Sequence, residues 1–343
     1  MNEAATFTES ARKRHLDFDL GPGAHQCWYP MALSPDVPVG KVIGADLADG
    51  RIVLYRGEDG TVRAMSAYCR HMGADLSAGG DVVGNDIRCP YHHWAYGDGG
   101  VCNTIPSGDR VPRGSNLVHL PTQEQFGLIW VFLGETPLYD LQTFKSFDPD
   151  KHVYRSFQVQ MEDKLKVEPW VFTTNVFDIV HLRFLHGMDI AGTEIEEVSP
   201  YLRRMYWIAT HSGEKDEGEL RLGIDVFGAN SVRTEGEMNG RLHWYISAST
   251  PFGPGDTRFF FTVITTKGDG QEDFLDSSQA LATRLINEDL PVLNNMRFGT
   301  PRLVASDNAL GKFIRAAREY PRTTLDALET AANRPKATTT IAD

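Results

Sequence analysis

The chain has 343 residues, room for two domains of ordinary size, and its 41% hydrophobic content can fill a core in each, which excludes disorder for most of its length. Basic residues number 34 against 46 acidic, a net charge of −12, and no Lys/Arg run forms a phosphate-binding stripe, so no nucleic-acid partner is expected. The longest apolar runs, 127–133 and 259–264, fall far short of the ~20 residues that cross a bilayer, and residues 1–15 lack an apolar segment after their charges; no membrane span and no secretory signal are expected, and the chain reads as cytoplasmic.

Residues 1–24 are polar and charged. From 28 to 133 the signals are β. Short runs rich in Val, Ile, Leu and Tyr (51–56, 62–68, 86–89, 128–133) are separated by turns at Glu58-Asp59-Gly60, Gly79-Gly80-Asp81 and Gly97-Asp98-Gly99-Gly100. These predict a small β-domain over 25–135. Residues 136–150, with three acids and two prolines, read as a linker. A second domain over 151–325 begins with an extended stretch at 152–161. A helix is expected over 166–186, ended by Gly187. Strands over 201–212, 219–227, 231–237, 241–249 and 257–265 predict an antiparallel meander. Helices follow over 277–297, interrupted by Pro291, and 309–319. The tail, 326–343, is expected to be disordered. The class is α+β.

Of four cysteines, Cys27, Cys69, Cys89 and Cys102, two belong to a motif. Few cysteines in an intracellular chain point to metal binding or catalysis rather than disulfides. Cys69-Arg70-His71 is followed after 17 residues by Cys89-Pro90-Tyr91-His92, so two short loops each offer one thiolate and one imidazole. Two Cys and two His also suit zinc, but zinc fingers usually pair Cys with Cys and His with His along the chain. A Rieske centre divides its ligands differently, with two Cys on one iron and two His on the other. The motif resembles the Rieske family. The resemblance implies that Cys69 and Cys89 hold one iron of a [2Fe-2S] cluster and His71 and His92 the other. Met72-Gly73-Ala74 after His71 leaves no place for the extra disulfide of respiratory Rieske proteins, so the chain looks like the oxygenase and ferredoxin branch. It departs from many oxygenases in having His93, not Gly, after the second His.

A second site lies within 175–186. On a helix Asp178 and His181 share a face, whereas His186 falls about 140° out of line, which needs a π-bulge or a frayed helix end. D-x2-H-x4-H is weak alone, since two surface or core histidines match it by chance. Behind a Rieske motif it resembles the N-x2-D-x2-H-x4-H of Rieske non-haem iron oxygenase α-subunits. That resemblance implies a mononuclear Fe(II) bound by His181, His186 and a later Asp. Asp289 matches, with its neighbour Glu288 as the alternative. It implies that Asp178 hydrogen-bonds His181 and, across a subunit boundary, a Rieske histidine. Asn175 matches a residue near the iron, or is simply a helix-face amide.

The same resemblance covers roughly 25–320. It implies a Rieske β-domain followed by a catalytic domain whose antiparallel sheet wraps a long helix, assembled as a head-to-tail homotrimer. It also implies O2 as co-substrate, a hydrophobic ring-containing substrate, and electrons from a separate NAD(P)H-dependent reductase, in some systems through a ferredoxin. No G-x-G-x-x-G follows a strand, so the reductase is expected on another chain. The spacing looks closest to the monooxygenase branch, with 3-ketosteroid 9α-hydroxylase components and aromatic O-demethylases. The Cys89–Trp94 loop and Lys312-Phe313-Ile314-Arg315 lean toward the former. Hydroxylation or oxidative demethylation is expected. The alternatives are ring cis-dihydroxylation, a Rieske electron carrier without oxygenase activity, and a zinc-stabilised binding module.

Overall fold

The structure is a computed structural model and describes residues 20–188, 190–191, 195–209, 220–238, 240–296 and 301–333. In the N-terminal half, strands His119–Leu120, Val62–Ser66, Gly50–Arg56 and Val42–Leu47 form one antiparallel sheet. Asp81–Val83, Asp86–Arg88, Ala95–Tyr96 and Cys102–Thr104 form a second. Alternation along Gly50–Arg56 explains the layering. Ile52 and Leu54 point into one core, and Val53 and Tyr55 into another that surrounds Cys69 and Cys89. A third sheet, Thr122–Gln125, Leu128–Phe132 and Trp28–Leu33, faces the C-terminal half.

That half is built on an eight-stranded antiparallel sheet running from His152–Gln158 through Thr257–Thr266, Trp244–Pro251, Ser231–Glu235, Leu220–Phe227 and Leu202–Ala209 to Ile190–Ala191, with Ile195–Ser199 also pairing with Leu202–Ala209. In Thr257–Thr266 the two-residue period again separates two layers. Phe260 and Ile264 pack on Trp28, Trp130 and Phe132, while Phe259 and Val263 join the core with Leu275, Ala282, Ile286, Leu290 and Leu293. Those five lie on one stripe of the longest helix, Gln271–Asn295, which crosses the sheet. The expected α+β architecture holds. Residues 136–150 are not a loose tether: Leu141 and Phe144 are buried between the halves.

Four helices complete the half, and the five are labelled in chain order. The helix expected over 166–186 is three pieces: α1, Pro169–Thr173; a 3-10 turn, Thr174–Phe177; and α2, Ile179–His186. Asp178 breaks it with φ −98° and ψ 88°, and its carboxylate accepts the backbone N–H of His181, starting α2 afresh. The long helix is α3. It begins at Gln271, six residues before the expected start, and continues through Pro291. α4, Asn308–Glu319, packs Phe313 on Phe177 with ring centroids 4.6 Å apart, fixing the 3-10 turn. The tail reading is corrected at α5, Leu325–Ala332. Thr324 caps it, Leu325 and Leu328 are buried, and Arg322–Thr323 pairs with Ala24–His25. The rest of the tail, 334–343, lies outside the described residues, as do 1–19 and the expected strand ends at 210–212 and 219. No helix among the described residues is long and apolar enough to cross a membrane.

Candidate metal centres

The two cysteine loops are built alike. Cys69 donates its N–H to Ala74 and Cys89 to Trp94. Their carbonyls accept from Gly73 and His93, four residues on. Gly73 and His93 both take left-handed conformations, φ 76° and 58°. The loops bring the two imidazoles together, with His71 Nδ1 and His92 Nδ1 3.2 Å apart. Trp94 stacks on His71 at 4.6 Å. Cys69 and Cys89 are buried, whereas both histidines are exposed. The centre therefore has an inner thiol side and an outer imidazole edge.

Burial pushes the Cys69 thiol up, opposed by the Tyr96 hydroxyl. That hydroxyl accepts the Arg70 N–H at 3.0 Å, which leaves its own hydrogen free for Cys69 Sγ at 3.1 Å. A thiolate in so dry a place needs positive charge beside it, and two thiols with two imidazoles fit a Rieske cluster. The motif spacing carries no sign of Tyr96 or Trp94, because both contacts depend on how strand Ala95–Tyr96 pairs.

The second group forms where α2 meets α3. His181, His186 and Asp289 each offer one ligand atom, all within 4.8 Å of one another. Among the described residues no other group of three does so. His186 reaches the face of His181 because α2 ends on it. Gly187, left-handed at φ 70°, and Met188 both donate to the Leu182 carbonyl, a wide closing turn. Of the two geometries expected for His186, the helix end is the one present.

Asp289 is the one charged residue on the buried stripe of α3 and is 4% exposed. Burial raises its carboxyl, opposed by the two histidines and by a hydrogen bond from Asn175. His186 Nε2 lies 3.3 Å from Asp289 Oδ1. Glu288, the alternative, points elsewhere and meets His186 Nδ1 at 2.7 Å. Asp178 touches His181 twice: its carboxylate takes the backbone N–H, and its carbonyl faces the ring Nδ1. Two imidazoles and one carboxylate fit a divalent iron. Asn287 and Asn294 of α3 grip 160–166, the segment leading into α1, through hydrogen bonds to the backbone of Glu162 and Lys166 at 2.9 Å each.

The family profile of the Rieske [2Fe-2S] domain matches residues 27–119, which contain all four cluster-loop residues. Over 85% of its length the chain is 38% identical to the probable 3-ketosteroid-9-alpha-monooxygenase, oxygenase component, of Rhodococcus rhodochrous, covering 79% of that protein. The chain belongs to the Rieske oxygenases. It is also similar to the cholesterol 7-desaturase nvd of Bombyx mori, 28% identical over 88% of this chain and 70% of that one. A Xenopus laevis relative of the same name is matched over 49% of its length. Among solved structures, dicamba monooxygenase bound to dicamba superposes with a TM-score of 0.65, covering 90% of this chain and 98% of that one at 21% identity, a likeness of fold. The domain that spans the cysteine loops is of the Rieske [2Fe-2S] family rather than a zinc module, and the enzyme class is oxidoreductase.

Proposed function

We propose that this Rieske oxygenase is the terminal component of a multi-protein system. It takes electrons from a separate NAD(P)H-dependent reductase, directly or through a ferredoxin, at a [2Fe-2S] cluster on Cys69, Cys89, His71 and His92. It uses them with O2 at a mononuclear Fe(II) held by His181, His186 and Asp289, where the iron supplies reductive activation of O2. The observation that carries this reading is the convergence of those three ligands behind a Rieske domain. It also argues against a bare electron carrier, which has no use for a second metal site.

The substrate class we infer is a hydrophobic polycyclic ring system of steroid type. Two relatives carry names that specify such substrates, one a monooxygenase and one a desaturase. The sheet face toward α3, with Met205, Ile224 and Val263, is apolar in keeping with that class. Attack at a C–H bond, by hydroxylation or desaturation, is therefore favoured over cis-dihydroxylation of an aromatic ring. Each outcome consumes one O2, two electrons and two protons per turnover.

Within the site, Asp178 pins His181 and Asn175 holds Asp289 in place. We further propose a head-to-tail homotrimer acting in the cytoplasm. His71 and His92 are exposed, with Met72 (67%) and Tyr91 (62%) beside them, and α2 shows Phe184 at 82% exposure near the iron ligands. The two patches suit the two sides of one contact.

The test is a steroid screen with a surrogate reductase, scoring products that gain one oxygen or lose two hydrogens in step with NADH use. His181→Ala, His186→Ala and Asp289→Ala should each abolish turnover and lose about one iron per chain while keeping the cluster absorbance. Full iron content and activity in all three variants would refute the site.

A further inference from the structure

The two candidate ligand histidines are oriented by different acceptors. His181 Nδ1 faces a neutral group, the Asp178 carbonyl. His186 Nδ1 faces a carboxylate, Glu288 Oε2 at 2.7 Å, and its opposite nitrogen is 3.3 Å from Asp289. Resting on the reading of His181, His186 and Asp289 as metal ligands, we propose that Glu288 is a positioning residue for that metal. It accepts the Nδ1 proton of His186, aims Nε2 at the metal and strengthens that imidazole as a donor.

The chemistry follows from the inventory of the ring. A neutral imidazole has one N–H, and when one nitrogen ligates a metal the proton must sit on the other and needs an acceptor. A carboxylate is the strongest acceptor a side chain can offer. Helix geometry assigns the two acids. Neighbours on α3 are about 100° apart, so Asp289 points into the buried stripe and Glu288 points sideways along it. Both Glu288 oxygens are engaged. Oε2 meets His186, and Oε1 accepts from Arg284, one turn earlier, at 2.7 Å. Glu288 also lines a polar groove of about 750 Å³ on the outer face of α3, with Thr283, Arg284 and Asn287. Its carboxylate therefore stands between solvent and the inner ligand set.

The sequence pair Glu288-Asp289 thus reads as two carboxylates for one histidine, one on each ring nitrogen, rather than as two rival ligands.

The experiment uses cluster-loaded protein freed of the mononuclear metal and titrated with Co(II), followed by calorimetry and by the visible bands of bound Co(II). Wild type should bind one Co(II) per chain, and Asp289→Asn none. Glu288→Ala should bind about 10–100-fold more weakly with altered Co(II) bands. Glu288→Gln should fall between, because its amide oxygen still accepts the Nδ1 proton but carries no charge. Retained cluster absorbance shows that each variant is folded. Wild-type affinity and unchanged bands in Glu288→Ala would overturn the positioning role. So would loss of Co(II) as complete as in Asp289→Asn, since Glu288 would then be a ligand itself. Failure of wild type to bind Co(II) would overturn the metal reading and the inference with it.

Discussion

His93 occupies a backbone position that its counterpart Gly73 fills without strain. Both are left-handed and both donate to a cysteine carbonyl four residues back. A non-glycine residue there costs about 1–2 kcal/mol, and glycine's extra chain entropy offsets about half of that. His93→Gly should therefore keep the cluster and stabilise the protein by up to about 1 kcal/mol, seen as a higher midpoint in urea. A lower midpoint would show that the exposed His93 ring makes a contact worth more than the strain. A second residue-scale effect concerns pH. Burial, helped by the Arg322 charge and opposed by the bond to the Ala317 carbonyl, lowers His25 from 6.5 to about 4; burial alone lowers His243 to about 4. Between those values the unfolded chain takes up protons that the folded chain refuses. Stability is complete above pH 6.5 and is lost as pH falls toward 4. From pH 7 to 5 His25 accounts for about 2 kcal/mol of the loss. His25→Gln should flatten the fall in unfolding free energy over that range, and an equally steep fall would exclude His25 as its source.

At the level of elements, what could be read ahead was what repeats along the chain. In the second half the strands over 220–227, 231–235 and 257–266 agree with their expected spans to within two residues, whereas the strand expected over 241–249 is split into Arg241–Leu242 and Trp244–Pro251, and Ile190–Ala191 and Ile195–Ser199 were not foreseen. The helix over 308–319 begins one residue from its expected start. The cluster loops were legible because ligand types and spacing are themselves the chemistry. The breaks were not. No periodicity announces that Asp178 would cap a new helix and split 166–186, since a capping carboxylate and a helical one look the same in a window of residues. The pairing of Glu288 with His186 was also hidden, for it joins positions 102 apart. The tail misled for a different reason. Its composition resembles a disordered end, but Leu325 packs against Gly50, where a Cβ would come within 2.4 Å of Leu325 Cδ1. Glu329 pairs with Arg70 of the first cluster loop at 2.9 Å. The surface pair is worth about 0–1 kcal/mol, so the buried leucine carries the docking. Leu325→Ala should cost about 2–5 kcal/mol and should speed amide exchange in strand Gly50–Arg56. Unchanged exchange there would mean that α5 merely rests on the first half.

The described residues of the two halves share one core. A single core holds Ile52 and Leu54 of the cluster-bearing half together with Ile286 and Leu290 beside the second site. The outer face of the cluster site, His71 and His92, is open to solvent, whereas Asp289 is deep in the other half. In the proposed head-to-tail ring an electron leaving through the imidazole edge would move outward and enter a neighbour at the start of α2, where Asp178 is only half-buried. Two substitutions, one on α2 and one at its cap, separate assembly from transfer. Phe184 is 82% exposed on the same helix as Val180, 46% exposed, and the two offer an apolar surface to the contact proposed above. Phe184→Glu places a charge in the proposed contact, so it should shift the protein from trimer to monomer by sedimentation while both metals stay bound. Asp178→Asn is nearly isosteric, and its amide oxygen can still cap α2, so the trimer and both metals should remain. The amide carries no negative charge to hold the histidine proton of a neighbouring cluster. In single turnovers with pre-reduced protein, substrate and O2, both variants should leave the cluster reduced long after wild type has reoxidised. Phe184→Glu should recover at high protein concentration, because its defect is association; Asp178→Asn should not, because its defect lies within the assembled ring. Rapid reoxidation in monomeric Phe184→Glu would place the electron path inside one chain and remove the need for the ring.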